Sequence, residues 1–219
     1  KPAPRALAAQ LWALKHGNPE AAGLDDISTF RKLHLYSWPG KRTFVLMTAG
    51  NLSITQSIVS LLQEGVPNSE TGETETLEAS PSMFRAAQLV GRAVRQVREF
   101  DGPALKESGI RFEISLLFGG QIKGQPMRLF MIYNAGNFIE CGLDTPYLQI
   151  GELKYGKPIL DRALRAGTPL SEAVKLGLIS FDSTIRSNIA VGPPLDLIIM
   201  PRGRLVGMER RIGADDAYF

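Results

Sequence analysis

Apolar residues along the chain switch repeatedly between strand-like and helix-like spacing. Thr29 to Tyr36 (T-F-R-K-L-H-L-Y) alternates, with Phe30, Lys32, His34 and Tyr36 on one face and Arg31, Leu33 and Leu35 on the other. Trp38-Pro39-Gly40 marks a turn. Thr43 to Thr48 (T-F-V-L-M-T) is a continuous apolar run, as expected of a strand covered on both faces. Ala49-Gly50-Asn51 then leads into Ile54, Ile58, Leu61 and Leu62, which recur at helical spacing and stop before Gly65 and Pro67. Residues 68–80 are polar and acidic and read as a loop. Ser82 is placed as an N-cap for a helix reaching about Phe100, with Phe84, Leu89, Val90, Ala93, Val94 and Val97 as its apolar stripe. Arg85, Arg92, Arg95 and Arg98 lie on the same helix, either as a solvated face or as an interface.

Strand signals dominate the next stretch. Arg111 to Phe118, Met127 to Tyr133, Phe138 to Cys141 and Tyr147 to Ile150 are separated by Gly- and Asn-rich turns and predict an antiparallel meander. Two helices follow, over Tyr155 to Arg165 and Leu170 to Ser180, with Pro158 in the first turn of the former. Ser187 to Val191, Leu195 to Met200 and Leu205 to Ile212 read as strands. The order is strands, two helices, strands, two helices, strands. It predicts one α+β domain over 1–219, with two sheets packed face to face and each covered by a pair of helices. Residues 1–23 carry the weakest pattern, an Ala- and Leu-rich stretch ended by His16-Gly17-Asn18-Pro19. Ala214 to Phe219 reads as the first turn of a helix that is cut off.

Composition narrows the chemistry. The chain has 219 residues, and 25 basic against 22 acidic side chains leave a net charge of +3. That balance argues for neither a nucleic-acid nor a membrane surface. No stretch of about 18 apolar residues occurs, so no transmembrane helix is expected. The basic start lacks a signal-peptide exit, and the expectation is a soluble cytoplasmic protein. One cysteine, Cys141, excludes an intramolecular disulfide framework and reads as a buried structural thiol. Two histidines leave little for a metal centre, and none is expected. There is no G-x-G-x-x-G, no Walker-type glycine loop and no G-x-S-x-G elbow; Phe118-Gly-Gly-Gln121 lacks the helix a phosphate loop needs.

Three features remain as candidate chemistry. Lys32 sits in a strand beside an apolar strand, where lysine is depleted. It is either an edge lysine reaching water or a buried cation that lowers the pKa of a neighbouring hydroxyl or amine. Gly50 ends a strand and either simply turns the chain or offers its N–H to an oxyanion. Phe181-Asp182-Ser183-Thr184-Ile185-Arg186-Ser187-Asn188 crowds polar groups at a helix exit, as a capping segment or as an orienting cluster.

At these residues the sequence resembles Anbu, the bacterial proteasome-related β-subunit family of N-terminal-nucleophile hydrolases. The likeness runs from about residue 22 to 219. It is carried by G-L-D-D-I-S-T-F-R-K-L-H-L-Y (23–36), T-A-G-N-L (48–52), Y-L-Q-I-G-E-L-K-Y-G-K-P-I-L-D-R (147–162) and I-S-F-D-S-T-I-R-S-N-I-A-V-G-P-P-L-D-L (179–197). The resemblance implies a four-layer αββα sandwich of two antiparallel sheets covered by helices. It implies a threonine hydrolase acting on peptides or related amides, in which the first residue supplies both hydroxyl nucleophile and α-amine base. Lys32 falls at the place of the activating lysine and Gly50 at that of the oxyanion donor. Thr48 and Ala49 would flank the substrate, and the segment from Asp182 to Ser187 matches the polar cluster near the nucleophile. Glu152 stands where proteasome relatives commonly carry a serine. A homo-oligomer, ring or ring-like spiral, is implied, with no cofactor, nucleic acid or membrane. Residues 1–21 depart from the family: Lys1-Pro2-Ala3 stands where a threonine is expected, and Gly17 lies in the neighbourhood of an expected aspartate. The departure preserves length and reads as a shifted frame or mis-assigned sequence over 1–21. The competing function is an assembly subunit of the same fold that cleaves nothing; a general ligand-binding domain would leave the two long motifs unexplained.

Overall fold

The computed structural model describes residues 8–9 and 31–216. The departure over residues 1–21 therefore lies outside the described residues, apart from Ala8 and Ala9, and the expected terminal helix turn lies partly beyond them. Strand β1 (Ala8–Ala9) is followed by β2 (Leu33–Trp38) and β3 (Arg42–Gly50), joined at the Trp38-Pro39-Gly40 turn, where Lys41 N donates to Trp38 O at 3.0 Å. Helix α1 (Leu52–Glu64) begins at an Asn51 N-cap, whose side-chain oxygen accepts from Ile54 N at 3.3 Å. It ends at Gly65, whose φ of 107° few other residues adopt.

The polar loop after α1 holds a short pairing of β4 (Val66–Pro67) with β5 (Thr74–Glu75). Helix α2 (Met83–Glu107) begins at Ser82 as expected but runs seven residues past Phe100 and through Pro103. The meander follows as β6 (Ile114–Ile122), β7 (Arg128–Ile132) and β8 (Phe138–Glu140); β9 (Tyr147–Leu148) stands apart from it. Helices α3 (Lys157–Ala163) and α4 (Leu170–Ser187) precede the hairpin of β10 (Leu195–Ile199) and β11 (Met208–Ile212). Residues 187–191 form no strand of their own.

Five strands make one antiparallel sheet in the order β2-β3-β6-β7-β8. Strand alternation divides β3 between two cores. Phe44 and Leu46 join Phe118, Phe130 and the inward stripes of α1 and α2 on one face. Val45, Met47 and Ala49 join Leu129, Leu148, Phe181, Leu195 and Ile198 on the other, beneath β9, the β10–β11 hairpin and α4. The α+β layering expected from the element order is present. The second layer of strands is smaller than expected: among the described residues it consists of the β10–β11 pair and a two-residue parallel pairing of β1 with β9. The arginines on α2 turn inward to their own chain: Arg92 bonds Glu75 at 2.7 Å, while Arg95 and Arg98 donate to the carbonyls of Gly136 and Asn134.

Candidate active site

The first group of candidate residues is assembled by the pairing of β2 with β3. Lys32 is the residue immediately before β2, rather than mid-strand. It still continues the ladder, because Thr48 N donates to Lys32 O at 3.0 Å. That bond sets Lys32 beside Thr48, with Ala49 and Gly50 following along β3. Lys32 is only 8% exposed, and its ammonium has no ion-pair partner among the described residues. Burial alone lowers its pKa to about 8, so near neutral pH it remains largely a cation in an apolar setting.

Gly50 closes β3 with φ 118°, and a Cβ there would come within 2.2 Å of Glu113 O. Both the backbone conformation and the close approach of β6 require glycine at this point. Asn51 N donates to Glu113 O at 2.9 Å, fixing the turn from β3 into the N-terminus of α1. Lys32 and the first turn of α1 thus place positive potential on either side of the Thr48–Gly50 edge.

The second group differs from the sequence expectation. Asp182 lies within α4, which runs on through the polar segment and ends only at Ser187. Asp182 is ion-paired with Arg186 one turn on, at 2.9 Å, and Thr184 Oγ1 donates back to Ser180 O at 2.8 Å. Ser187 is the exposed last residue of the helix. Among the described residues no hydrogen bond or ion pair joins Lys32 to Asp182 or Ser187. The two groups meet instead through one apolar core, which contains Leu33 and Ala49 as well as Phe181 and Ile185.

Beyond Ser187 lies a bridge that sequence reasoning missed. Asn188, the C-cap of α4, donates through Nδ2 to Glu152 Oε2 at 2.8 Å, and Lys154 N donates to Glu152 Oε1 at 2.7 Å. Gln149 donates to Glu152 O at 3.0 Å, while its own buried Oε1 has no partner among the described residues. Glu152 thereby ties the turn after β9 to the end of α4. The only signal in the sequence was the polar Ser187-Asn188 pair beyond the apolar helix stripe.

Among the described residues no three His, Cys, Asp or Glu side chains converge as metal ligands. Cys141 is half-buried, its thiol donates to Thr145 O at 3.0 Å, and burial pushes its pKa up to about 11, which suits an inert thiol. No helix among the described residues is long and apolar enough to cross a membrane.

Neither a protein-family model nor a curated protein matches the chain. Solved structures do. Anbu from Hyphomicrobium sp. strain MC1 is 50% identical with a TM-score of 0.80, over 90% of this chain and 81% of that one. Anbu (ancestral β-subunit) from Yersinia bercovieri is 47% identical with a TM-score of 0.82, over 98% of this chain and 88% of that one. A helical assembly of the Anbu complex from Pseudomonas aeruginosa is 46% identical with a TM-score of 0.80, over 90% and 80%. Identity at this level, across most of both chains and with the same fold, shows that the chain belongs to the Anbu family of proteasome-like β-subunit relatives.

Proposed function

We propose that the protein is a subunit of a proteasome-like homo-oligomer that hydrolyses peptide or related amide bonds by N-terminal-nucleophile chemistry. The observation that carries this reading is the buried Lys32, without an ion-pair partner among the described residues, beside the Thr48–Gly50 edge. A cation held in an apolar setting destabilises the fold, and its presence here supports a use for the charge. Next to a hydroxyl it favours the alkoxide and lowers the barrier to attack.

The roles follow from the chemistry. A hydroxyl at the chain's start attacks the substrate carbonyl and passes its proton to its own α-amine. The Lys32 ammonium steadies the developing negative charge, and the Gly50 N–H donates to the oxyanion. Collapse of the tetrahedral species expels the amine, which takes the proton from the α-ammonium. Water then cleaves the resulting ester by the same route. Thr48 and Ala49 flank the substrate, and Asp182 and Ser187 support the site from α4. No cofactor enters the scheme, nor do nucleic acid or membrane, and the setting is cytoplasmic. The helical assembly of the Pseudomonas aeruginosa relative supports the oligomeric part.

A second reading is favoured by one observation: residues 1–27 contain no Ser, Thr or Cys, and Ser28 is the first hydroxyl in the sequence. On that reading the chain is an assembly subunit without catalysis. N-terminal sequencing and intact mass of the protein from its source, with a peptide-amide hydrolysis assay, separate the two. A terminal threonine with amide turnover is expected; a confirmed Lys1 start with no turnover leaves the assembly reading.

A further inference from the structure

Two positive features meet at the Thr48–Gly50 edge, and no carboxylate among the described residues matches either. Lys32 is more than nine-tenths buried and forms no ion pair among those residues. Burial alone moves its pKa, so no neighbouring carboxylate holds its charge in place. Helix α1 has no acidic residue in its first turn, where carboxylates ordinarily offset the helix dipole, and its one charged residue is Glu64 at the far end.

Strand alternation aims these groups at one place. Lys32 and Thr48 stand opposite each other, so their side chains share a face. It is the face of Phe44 and Leu46, which is covered by α1 and α2. Peptide groups alternate in the same way. Thr48 N donates to Lys32 O, whereas Asn51 N donates to Glu113 O, so positions 48 and 50 turn their N–H groups toward β2 and position 51 turns to the β6 side. The Gly50 N–H therefore points past the start of β2, on the side of Lys32. Gly50 is exposed, while Thr48 and Ala49 before it are buried.

A buried ammonium, a helix N-terminus and a backbone donor on one edge form a setting for a single anionic group. Hydrolysis of an amide adds water across the C–N bond and leaves the acyl half with a new terminal carboxylate, formed where the oxyanion stood. We propose that this edge is a carboxylate site, which holds the C-terminal carboxylate of a peptide as the counter-ion that Lys32 lacks within its own described chain. A retained carboxylate occupies the Gly50 donor, so peptide acids compete with amide substrates. Binding rests on the site as placed in the reading above, but it needs no nucleophile.

Isothermal titration calorimetry of the full chain tests it with an N-acetylated tetra-alanine acid, the corresponding C-terminal amide, and acetate. At pH 7 the acid is expected to bind tighter than the amide by on the order of ten-fold, and tighter than acetate. Lys32→Arg keeps the preference for the acid. Lys32→Met, with thermal melting as the folding control, loses it. Lys32 holds its proton below about pH 8, so acid binding is full at pH 7 and weakens on the order of ten-fold by pH 9.5. The other ionisable groups at this edge are Arg31 beside Lys32, His34 and Tyr36 on the same face of β2, and Arg111 with Glu113 just before β6. Burial, with Arg31 second, holds the His34 pKa below its usual value, and burial pushes Tyr36 up to about 12, so neither titrates in that window. An amide that binds as tightly as the acid, a preference that survives Lys32→Met, or an acid that does not bind overturns the carboxylate site alone. Acetate that binds as tightly as the peptide acid gives the site to small free anions and overturns its assignment to peptides. Acid binding by a chain that turns over no amide sustains the site while removing the hydrolase reading.

Discussion

The two faces of the five-stranded sheet are built from the same strands but packed differently. Toward α1 and α2, Phe44, Leu46, Phe118 and Phe130 are fully buried. Phe44 meets Phe118 with ring centroids 5.5 Å apart, a distance that contributes attraction beyond area burial. Toward α4 and β10, Val45, Met47, Leu129, Phe181, Ile198 and Met200 surround a cavity of about 80 Å³. One face is close-packed with rings and branched residues; the other is looser and lined partly by adaptable methionines. The difference teaches where stability and function separate. The sealed face holds β3 in register, and the candidate site is built at the end of that strand.

The largest effect should come from truncation on the sealed face. Phe118→Ala is expected to lose about 3–5 kcal/mol, on the order of 10 °C in melting temperature. Met47→Ala, beside the existing cavity, is expected to lose about 2 kcal/mol. Equal losses from the two, read by denaturant titration, would erase the distinction.

At the junction of the two faces, Gly50→Ala forces a Cβ against Glu113 O and an unfavourable φ. The expectation is a loss on the order of 3 kcal/mol together with any amide turnover. A folded variant of wild-type stability would show that Gly50 is no tighter than an ordinary strand end.

Lys32→Met should stabilise the protein at neutral pH. The folded pKa of about 8 lies below the ordinary 10.5, so the unfolded chain binds more protons between those values. The cost of the buried cation is fully present below about pH 8 and fades as pH rises toward 10.5. The gain from Lys32→Met should therefore be on the order of 2 kcal/mol at pH 7 and vanish near pH 10.5. A gain independent of pH would mean that packing, not charge, is responsible.

The smallest effects sharpen the comparison. Val45→Ile extends a methylene toward the cavity and is expected to be neutral or stabilising by up to about 1 kcal/mol. Val94→Ile, on the sealed face, should cost about 1–2 kcal/mol. Matching signs for the two valines would contradict the packing difference.

Much of this was legible in the sequence because strand and helix periods differ. The apolar run from Thr43 to Thr48 announced a strand buried on both faces, and β3 carries both cores. The glycine after it announced the turn that Gly50 makes. Errors arose where tertiary contacts outweigh local signals. The helix from Ser82 is expected to reach about Phe100, yet α2 continues through Pro103 to Glu107, and Leu105 beyond the proline packs on the core. The polar run from Asp182 to Ser187 reads as a helix exit, yet it stays helical. There Asp182 pairs with Arg186, and Thr184 bonds back to Ser180. The closeness of Lys32 to Thr48 depends on pairing register, which no pattern within one strand reveals. The Glu152–Asn188 bridge joins residues 36 positions apart, and the polar Ser187-Asn188 pair was its only local signal.

The central claim is that Lys32 activates a nucleophile at the chain's start. Intact-mass and peptide mass spectrometry after treatment with an electrophile directed at N-terminal threonine tests this most directly, comparing the wild type with Lys32→Ala. For the protein from its source, the account predicts one adduct per chain, on a terminal threonine, and a labelling rate at least 100-fold lower without the lysine. No adduct on the wild type, or undiminished labelling of Lys32→Ala, would contradict it.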